Sequence, residues 1–393
     1  MAPGIVTGTA DVDPALVLTA TVAGAAYSYS LLWVVVLCFP FLITVFGVSS
    51  RLGYETRKGL VDLLRENYGH RTAISCAVLV VAINMAMIVA DLMAVSDAFS
   101  IILGLKRYFF IAAVAFSVWY ILIFHDYRRF TRTLLWLSLP LFVYVATAAL
   151  SAPSAGWVAF STVVPRVSPE TGYVAALVGL FGSLLTPYVL VWQTSSSREH
   201  AARGEQYHGS ESHAGGFVTC LLAYSIIVAA ASVLHLPNAA EMTTRQAAEA
   251  LRPALGDLGQ YAFALGIIGA GMVALPVMVA SMCYSISEAF GWRAGLSEHP
   301  WDAKSFYVLI SIAIVIACVL NFIHINPVKA LYWSQILAGV LTVPILVFIL
   351  ILSNDRRVMH TINTRMQNFW FGAAIGGLIA AGIALAWWKL ARK

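Results

Sequence analysis

Long apolar runs, separated by short polar stretches, dominate the pattern of this chain. A transmembrane helix needs about twenty consecutive apolar residues, and by that measure the sequence predicts about eleven spans. Because these spans cover nearly the whole chain, they indicate an all-α, polytopic membrane protein. The predicted spans are 3–27, 29–50, 71–103, 108–124, 133–151, 171–195, 215–236, 259–289, 306–323, 327–352 and 369–388.

Two of these spans are interrupted by a proline with polar neighbours. The first breaks in Gly-Thr-Ala-Asp-Val-Asp-Pro-Ala at residues 8–15, and the sixth breaks in Gly-Ser-Leu-Leu-Thr-Pro-Tyr at 182–188. Backbone that has left helical hydrogen bonding is tolerated at membrane depth only where it lines a buried site or a wet cavity. Paired interruptions in two halves of a membrane chain indicate a transporter's binding site. Asp13 and Thr186 are therefore the first candidates for that site.

The positions of the breaks divide the single membrane domain into two halves. Spans one to five (3–151) form the first half, and spans six to ten (171–352) form the second. An odd number of spans per half inverts the second half relative to the first, which predicts the 5+5 inverted repeat of LeuT-type transporters. An additional helix follows at 369–388. Residues 196–214 are expected to form a flexible cytoplasmic linker, and 237–258 an outer loop with an amphipathic stretch.

Composition supports a membrane protein. Hydrophobic residues make up 60% of the chain, charged residues only 11%, and the mean hydropathy is +0.82. A soluble domain would carry about a quarter charged residues. The cysteines lie in apolar segments without CxxC spacing, so we interpret them as small buried hydrophobes and not as disulfide or zinc ligands. They are Cys38, Cys76, Cys220, Cys283 and Cys318.

The distribution of basic residues indicates the topology. With the N-terminus in the cytoplasm, the predicted inner loops hold fifteen of the 24 Lys and Arg residues, and the outer loops with the C-terminal tail hold nine. The positive-inside rule therefore favours a cytoplasmic N-terminus in a cell membrane, although the basic tail is discordant. The formal charge of +5 comes from short loops, so it indicates topology and no nucleic-acid partner.

The residues around the breaks resemble those of a known family. The stretch 13–16, Asp-Pro-Ala-Leu, resembles the Asp-Pro-Gly-Asn motif in the first helix of the Nramp divalent-metal transporters. Residues 49–53 and 58–60 resemble the end of that family's second helix and the following loop. Residues 186–188, Thr-Pro-Tyr, stand where the family has Met-Pro-His, and 326–331 resembles the start of its tenth helix. The likeness covers nearly the whole chain and implies a LeuT-type metal transporter.

The resemblance also implies a ligand set. In the family, the Asp and Asn of the first break and the Met of the sixth helix ligate a transition metal, together with two backbone carbonyls. Here the Asp is Asp13, and the carbonyl positions are Ala10 and Ser183. The Asn position is Leu16, which cannot ligate, and the Met position is Thr186, a hydroxyl. Asp13 would also suit the N-cap of the outer half-helix.

These departures favour a hard cation. Carboxylate, carbonyl and water oxygens suit Mg²⁺, Ca²⁺ and Mn²⁺, whereas sulfur favours softer metals. Magnesium also gives up its water reluctantly. The pattern resembles the Nramp-related magnesium transporters, so we expect Mg²⁺, or also Mn²⁺, as the transported ion. We expect no permanently bound cofactor, the lipid bilayer as surroundings and no obligate protein partner.

The residues of the family's proton pathway differ as well. Its His after the sixth-helix proline is Tyr188, its second His is Gln193, and the Glu three residues after Asp91 is Ala94. A titrating relay needs groups that change charge near physiological pH. We therefore expect transport without protons, driven by the membrane potential, through a pathway that includes Tyr188, Asp91, Gln193 and Gln335.

Several of these polar residues also have a purely structural interpretation. The Asp91 carboxylate would then be hydrogen-bonded to Asn84 or to water, and the Gln335 amide would form a hydrogen bond between helices. Asp11, two residues before the candidate ligand, is expected to be solvated or a structural partner. Glu288, near the cytoplasmic end of its span, is expected to be a solvated vestibule residue.

Three other functions compete with this interpretation. The first is a proton-coupled Mn²⁺ or Fe²⁺ transporter of the Nramp type. The second is an amino-acid or organic-cation carrier on the same fold, in which half-helix N-termini would hold a carboxylate; Asp13 argues against an anionic group there. The third is an intramembrane enzyme, but the sequence has no HExxH motif and no Ser/His pair in facing spans, so we expect no enzyme.

Overall fold

The computed structural model describes residues 2–151, 153–168, 170–234, 246–248, 256–322 and 327–390. Within these ranges the regular elements are α-helices and two short 3-10 helices, with no β-strand. The helices are α1 (Ala2–Asp11), α2 (Pro14–Tyr27), α3 (Leu32–Thr56), α4 (Leu60–Tyr68), α5 (His70–Leu103), α6 (Tyr108–Phe124), α7 (Tyr127–Ser138), α8 (Val143–Leu150), α9 (Ala155–Val163), α10 (Thr171–Ser183), α11 (Pro187–Ala202), α12 (Ser210–Val233), α13 (Asp257–Phe290), α14 (Lys304–Phe322), α15 (Pro327–Asn354) and α16 (Arg365–Leu390).

The apolar lengths of the helices are those of a multi-pass membrane protein. In the described part of the chain, eight helical stretches are long and apolar enough to cross a membrane, and Tyr108–Phe124 and Thr342–Asn354 are shorter apolar helices. The predicted spans at 71–103 and 108–124 agree with α5 and α6 to within one residue. The all-α prediction is confirmed.

The two predicted breaks are present. In the first span α1 ends at Asp11 and α2 begins at Pro14; in the sixth span α10 ends at Ser183 and α11 begins at Pro187. Proline lacks the backbone N–H that a helix interior needs, but its fixed backbone suits the first helical position. Each proline therefore ends one half-helix and begins the next.

The broken helices lie at the centre of the packing. Helix α12 packs along α1, α2 and α3, and α11 lies between α3 and α13. Close approach depends on glycine: a Cβ added at Gly24 would lie 2.5 Å from the carbonyl oxygen of Ile227, and one at Gly8 would collide with the carbonyl of Gly215. Small residues of this kind allow membrane helices to approach closely.

Two connecting segments and one span differ from the sequence predictions. The segment between the halves, expected to be a loop at 152–170, contains the helix α9. The expected flexible linker at 196–214 is mostly helical, because α11 continues to Ala202 and α12 already begins at Ser210. The part of it in α11 is packed inside the protein, where Glu199 is only 5% exposed, whereas Gln206, His208 and His213 are exposed. The fifth span is interrupted by a 3-10 turn at Leu139–Phe142, which contains a proline.

Some predictions lie outside what the structure describes. Most of the expected amphipathic loop at 237–258 falls there, as does Asn326 at the start of the tenth span. The boundaries of the two inverted repeats and of the additional helix at 369–388 as a separate unit stay predictions.

Candidate cation site

Asp13 has one oxygen engaged and one free. It precedes α2 as the N-cap, and its Oδ1 accepts a hydrogen bond from the backbone N–H of Leu16 at 2.7 Å. The side chain is fully buried, and its Oδ2 has no hydrogen-bond partner among the described residues. The capping interpretation therefore accounts for one oxygen, and the second is available to a cation.

Thr186 connects the two breaks. It precedes α11, and its hydroxyl donates a hydrogen bond of 2.7 Å to Oδ1 of Asp11, the last residue of α1. Both side chains are buried, with 1% and 0% exposure. Of the two expectations for Asp11, the solvated residue is therefore wrong, and the structural partner agrees with the bond to Thr186. The sequence contained a signal for it, since two carboxylates in one break at membrane depth need partners.

The two candidate carbonyl positions lie at the C-terminal ends of the first half-helices, Ala10 in α1 and Ser183 in α10. The carbonyl of Ala10 accepts a hydrogen bond of 2.5 Å from the hydroxyl of Tyr188. A carbonyl oxygen has two lone pairs, so this bond does not exclude a cation. Ser183 is the last residue of α10 and is fully buried, and its hydroxyl donates to the carbonyl of Leu180 at 3.0 Å. Direct contacts thus bring Thr186, Asp11, Ala10 and Tyr188 together, whereas Ser183 is placed by its helix end.

Asp91 lies near the same cluster. It is 1% exposed on α5, and its Oδ2 has no hydrogen-bond partner in the described ranges. Asn84 does not satisfy it, because the Asn84 amide donates to the carbonyl of Met278 at 3.2 Å. Asp91 instead interacts electrostatically with Asp13 and with Tyr188. The alternative of an Asn84 partner is therefore wrong.

The other two pathway candidates, Gln335 and Gln193, differ in whether their side-chain amides are hydrogen-bonded. Gln335 lies near the Asp13 carboxylate, yet neither amide atom has a hydrogen bond of normal geometry to the described residues. The Gln335 amide interacts with the Asp13 carboxylate without meeting strict hydrogen-bond geometry, so its role as a bond between helices or as a pathway residue stays a prediction. Gln193 is engaged, since its Oε1 accepts a hydrogen bond of 2.6 Å from the hydroxyl of Thr7. This bond ties α11 to α1.

The chemistry of the cluster is that of oxygen ligands. Among the described residues, no three His, Cys, Asp or Glu side chains converge closely enough to hold a metal ion. A cation at the breaks would be held by carboxylate, hydroxyl, amide and carbonyl oxygens, with water completing the shell. Such a set suits hard divalent cations.

A buried ion-pair network lies at the cytoplasmic ends of α11 and α13, as the predicted topology orients them. Glu288 is 1% exposed, so the expectation of a solvated vestibule residue is wrong. It accepts hydrogen bonds from Arg198 at 3.2 Å, from Ser195 at 3.2 Å and from the backbone N–H of Val61 at 3.1 Å. Arg198 also pairs with Asp62 at 3.5 Å. These contacts join α4, α11 and α13.

The electrostatics of this network follow from its burial. Burial raises the pKa of the Asp62 carboxyl above its ordinary value, although Arg198 and Arg65 act to lower it. Arg198 also stacks over the Tyr284 ring, with 5.2 Å to the ring centroid, and Tyr284 donates a hydrogen bond of 2.8 Å to Glu199. Sequence reasoning missed this network because its members are distant along the chain.

Comparison with known proteins places the chain in a family. Residues 4–388 match the family model for natural resistance-associated macrophage protein-like (Nramp) proteins. The chain belongs to the Nramp family. It is therefore a multi-pass membrane transporter of a divalent-metal family and not an enzyme.

Named relatives are distant. The divalent metal cation transporters MntH of Pectobacterium carotovorum and Deinococcus radiodurans are each 23% identical to the chain; the matches cover 96% and 99% of the chain and 90% and 89% of the relatives. The metal transporter NRAT1 of rice is 25% identical over 291 residues, which are 68% of the chain and 53% of NRAT1. The chain thus spans about half of that relative.

The fold agrees with that of a solved Nramp structure. A manganese transporter from Eremococcus coleocola superposes with a TM-score of 0.77 at 17% identity, covering 98% of the chain and 85% of that protein. At this identity the likeness shows the fold alone. It confirms the LeuT-type architecture with a broken first and sixth helix.

Proposed function

We propose that this Nramp-family chain moves a partly hydrated hard divalent cation across the cell membrane, with Mg²⁺ as the preferred ion and Mn²⁺ as the second. The observation that carries this proposal is the ligand chemistry of the two breaks. Asp11, Asp13 and Thr186 all offer oxygen, and two of their carboxylate oxygens are buried without a partner. Sulfur ligands are absent from these three positions.

Leu16 supports a ligand shell that keeps water. It stands at the position of the family's Asn ligand and is fully buried, and its backbone N–H donates a hydrogen bond to Asp13. Fewer protein ligands leave more of the shell to water. Magnesium retains several of its waters and is commonly bound through one or two carboxylates.

The membrane potential is a sufficient driving force. A divalent cation that moves inward gains about 4.6 kcal/mol per 100 mV, from about 2.3 kcal/mol per charge. The two positions of the family's histidines hold side chains engaged in hydrogen bonds: Tyr188 with Ala10, and Gln193 with Thr7. We therefore propose transport without protons, with the N-terminus in the cytoplasm.

A proton-coupled Mn²⁺ transporter is the second candidate. Manganese as the transported metal is supported by a solved structure of the same fold, which is that of a manganese transporter. The residue at the sulfur position supports the first candidate, because a thioether is the ligand that selects softer metals, and Thr186 stands there instead.

Metal flux into proteoliposomes tests the proposal. Vesicles with the full chain contain a magnesium-sensitive dye, and external Mg²⁺ is added under a negative-inside potential, with Mn²⁺ or Ca²⁺ as competitor. We expect saturable Mg²⁺ uptake that is absent from protein-free vesicles. Uptake of Mn²⁺ without any uptake of Mg²⁺ would replace the magnesium proposal with the second candidate.

A further inference from the structure

Two carboxylates face the break in the first span. Asp11 ends α1 and Asp13 precedes α2, both are fully buried, and they interact electrostatically with each other. In each of them Oδ1 accepts a hydrogen bond, from Thr186 and from Leu16 respectively. Oδ2 has no hydrogen bond of normal geometry among the described residues, although Thr219 lies near Asp11 and Gln335 near Asp13. Two unpaired carboxylate oxygens therefore remain at one helix break.

No cationic side chain among the described residues compensates these charges. In the part of the chain that the structure describes, Lys, Arg and His residues form ion pairs elsewhere and none with Asp11 or Asp13. A buried charge without a partner costs several kcal/mol, so such groups in membrane spans pair with one another, with backbone or with an ion. A divalent cation would neutralise both carboxylates at once.

We propose that Asp11 is a second anionic ligand of the transported cation, and that it acts together with Asp13. This inference rests on the proposed function and specifies its site. The ligand that the family has at position 16 is lost here, since Leu16 cannot ligate. Asp11 supplies a ligand from the opposite side of the same break, and it is charged where the family's Asn is neutral.

The hydrogen bond from Thr186 fits this role. A hydroxyl has one hydrogen and two lone pairs. Because the hydrogen is donated to Asp11, the lone pairs of Thr186 Oγ1 stay available to a cation. Asp11 thus binds the ion and also fixes the orientation of the hydroxyl ligand. The resulting set carries two negative charges, which match a divalent cation and leave a monovalent one undercompensated.

A purely structural role for Asp11 gives different expectations. In that role, Asp11 only anchors Thr186, and any acceptor of the same shape would serve. Asp11→Asn keeps an oxygen for the Thr186 hydroxyl and removes the charge. Thr186→Val removes the hydrogen bond and keeps the charge. The first variant therefore measures the charge of Asp11 while the hydrogen bond is kept. The second removes the hydrogen bond and the hydroxyl ligand of Thr186 together, so the ligand role of Asp11 is judged on the first variant.

The test is cation binding to the purified full chain in detergent by isothermal titration calorimetry, with Mg²⁺ and Mn²⁺ titrated separately. We expect Asp11→Asn to weaken binding by at least about tenfold, because a contact to a charged group typically contributes more than about a tenfold change in affinity. Asp126→Asn is the control for loss of an aspartate charge away from the breaks, since Asp126 is 64% exposed and caps α7 through Arg129 N–H at 3.3 Å. It should bind as the wild type does.

The outcomes separate this inference from the proposed function. If Asp13→Asn abolishes binding while Asp11→Asn stays within about twofold of the wild type, the inference is wrong and the function stands. If the wild type binds Mn²⁺ and not Mg²⁺, the magnesium proposal fails. The role of Asp11 is then tested by comparing the Mn²⁺ affinity of Asp11→Asn with that of the wild type. If Asp11→Asn is not monodisperse in size-exclusion chromatography, Asp11→Ser is measured against the same criterion.

Discussion

The hydroxyl of Tyr188 donates a hydrogen bond of 2.5 Å to the carbonyl of Ala10, and so links the second half of the sixth span to the first half of the first. The carbonyl of Tyr188 in turn accepts a hydrogen bond of 2.8 Å from Ser281 of α13. The end of α1 is therefore held by the same residue that α13 positions. Movement of α1 away from α11 would break this bond and expose the ligands at the breaks.

The first prediction concerns Asp13. Asp13→Ala should abolish metal transport, because it removes a carboxylate that has a free, buried oxygen. The loss of the cap should lower stability by only about 1 kcal/mol, so the protein should stay folded in detergent. Asp126→Ala removes the equivalent cap of α7 and should retain transport. Magnesium flux at the wild-type rate in Asp13→Ala would show that Asp13 is not the ligand.

The second prediction concerns metal preference. Thr186→Met combined with Leu16→Asn restores the two ligand types of the family and should raise Cd²⁺ and Mn²⁺ affinity relative to Mg²⁺. Because Leu16 is fully buried, the added amide also needs a partner, and this lowers stability. Thr186→Ser keeps a hydroxyl and should keep the wild-type preference. Competition titrations measure the ratio; an unchanged Cd²⁺-to-Mg²⁺ ratio would mean that other residues set the selectivity.

The third prediction concerns the buried ion pair. Arg198→Ala leaves Glu288, which is 1% exposed, without its cationic partner. Removing one partner of a buried pair typically costs about 3–5 kcal/mol, so the apparent melting temperature in detergent should fall clearly. Arg128→Ala is the control: its side chain is 75% exposed and pairs with Glu205 at 3.7 Å, so its effect should stay below about 1 kcal/mol. Equal melting temperatures of the two variants would contradict this assignment.

The fourth prediction concerns the packing of α1 on α12. Gly8→Ala would place a methyl group against the backbone carbonyl of Gly215, which cannot yield as a flexible side chain can. We expect a lower melting temperature and reduced transport. Gly376→Ala is the matched control in α16, where an added Cβ meets nothing within 4 Å. That change should leave stability unchanged or raise it slightly, since alanine favours a helix over glycine by about 1 kcal/mol.

The features that the sequence predicted well are local. Apolar length determines where α5 and α6 lie, and a proline at the first helical position determines the breaks at Pro14 and Pro187. The same reasoning placed Asp13 and Thr186 immediately before the two second half-helices. These predictions need no knowledge of which helices are neighbours.

The features that it missed depend on neighbours. Glu288 was expected to be solvated because it lies near a helix end, and for Asp11 the sequence left open whether it is solvated or a structural partner. The structure surrounds both with other helices, and their partners, Thr186 and Arg198, lie far away in sequence. Periodicity assigns a residue to a face of its helix, but in a helix packed on all sides it does not identify what that face contacts.

The last prediction is that transport moves no protons. The family's proton-carrying positions hold Tyr188, Gln193 and Ala94, and the first two are engaged in hydrogen bonds to Ala10 and Thr7. Asp11 and Asp13 still form a buried pair of carboxylates, so coupling at the site itself must be measured. Liposomes that contain a pH-sensitive dye receive an inward magnesium gradient and a negative-inside potential. We expect metal uptake without acidification of the lumen. Metal-dependent acidification that is absent from protein-free vesicles and from Asp13→Ala would show that protons move with the metal. It would contradict the proposal of uncoupled transport driven by the membrane potential.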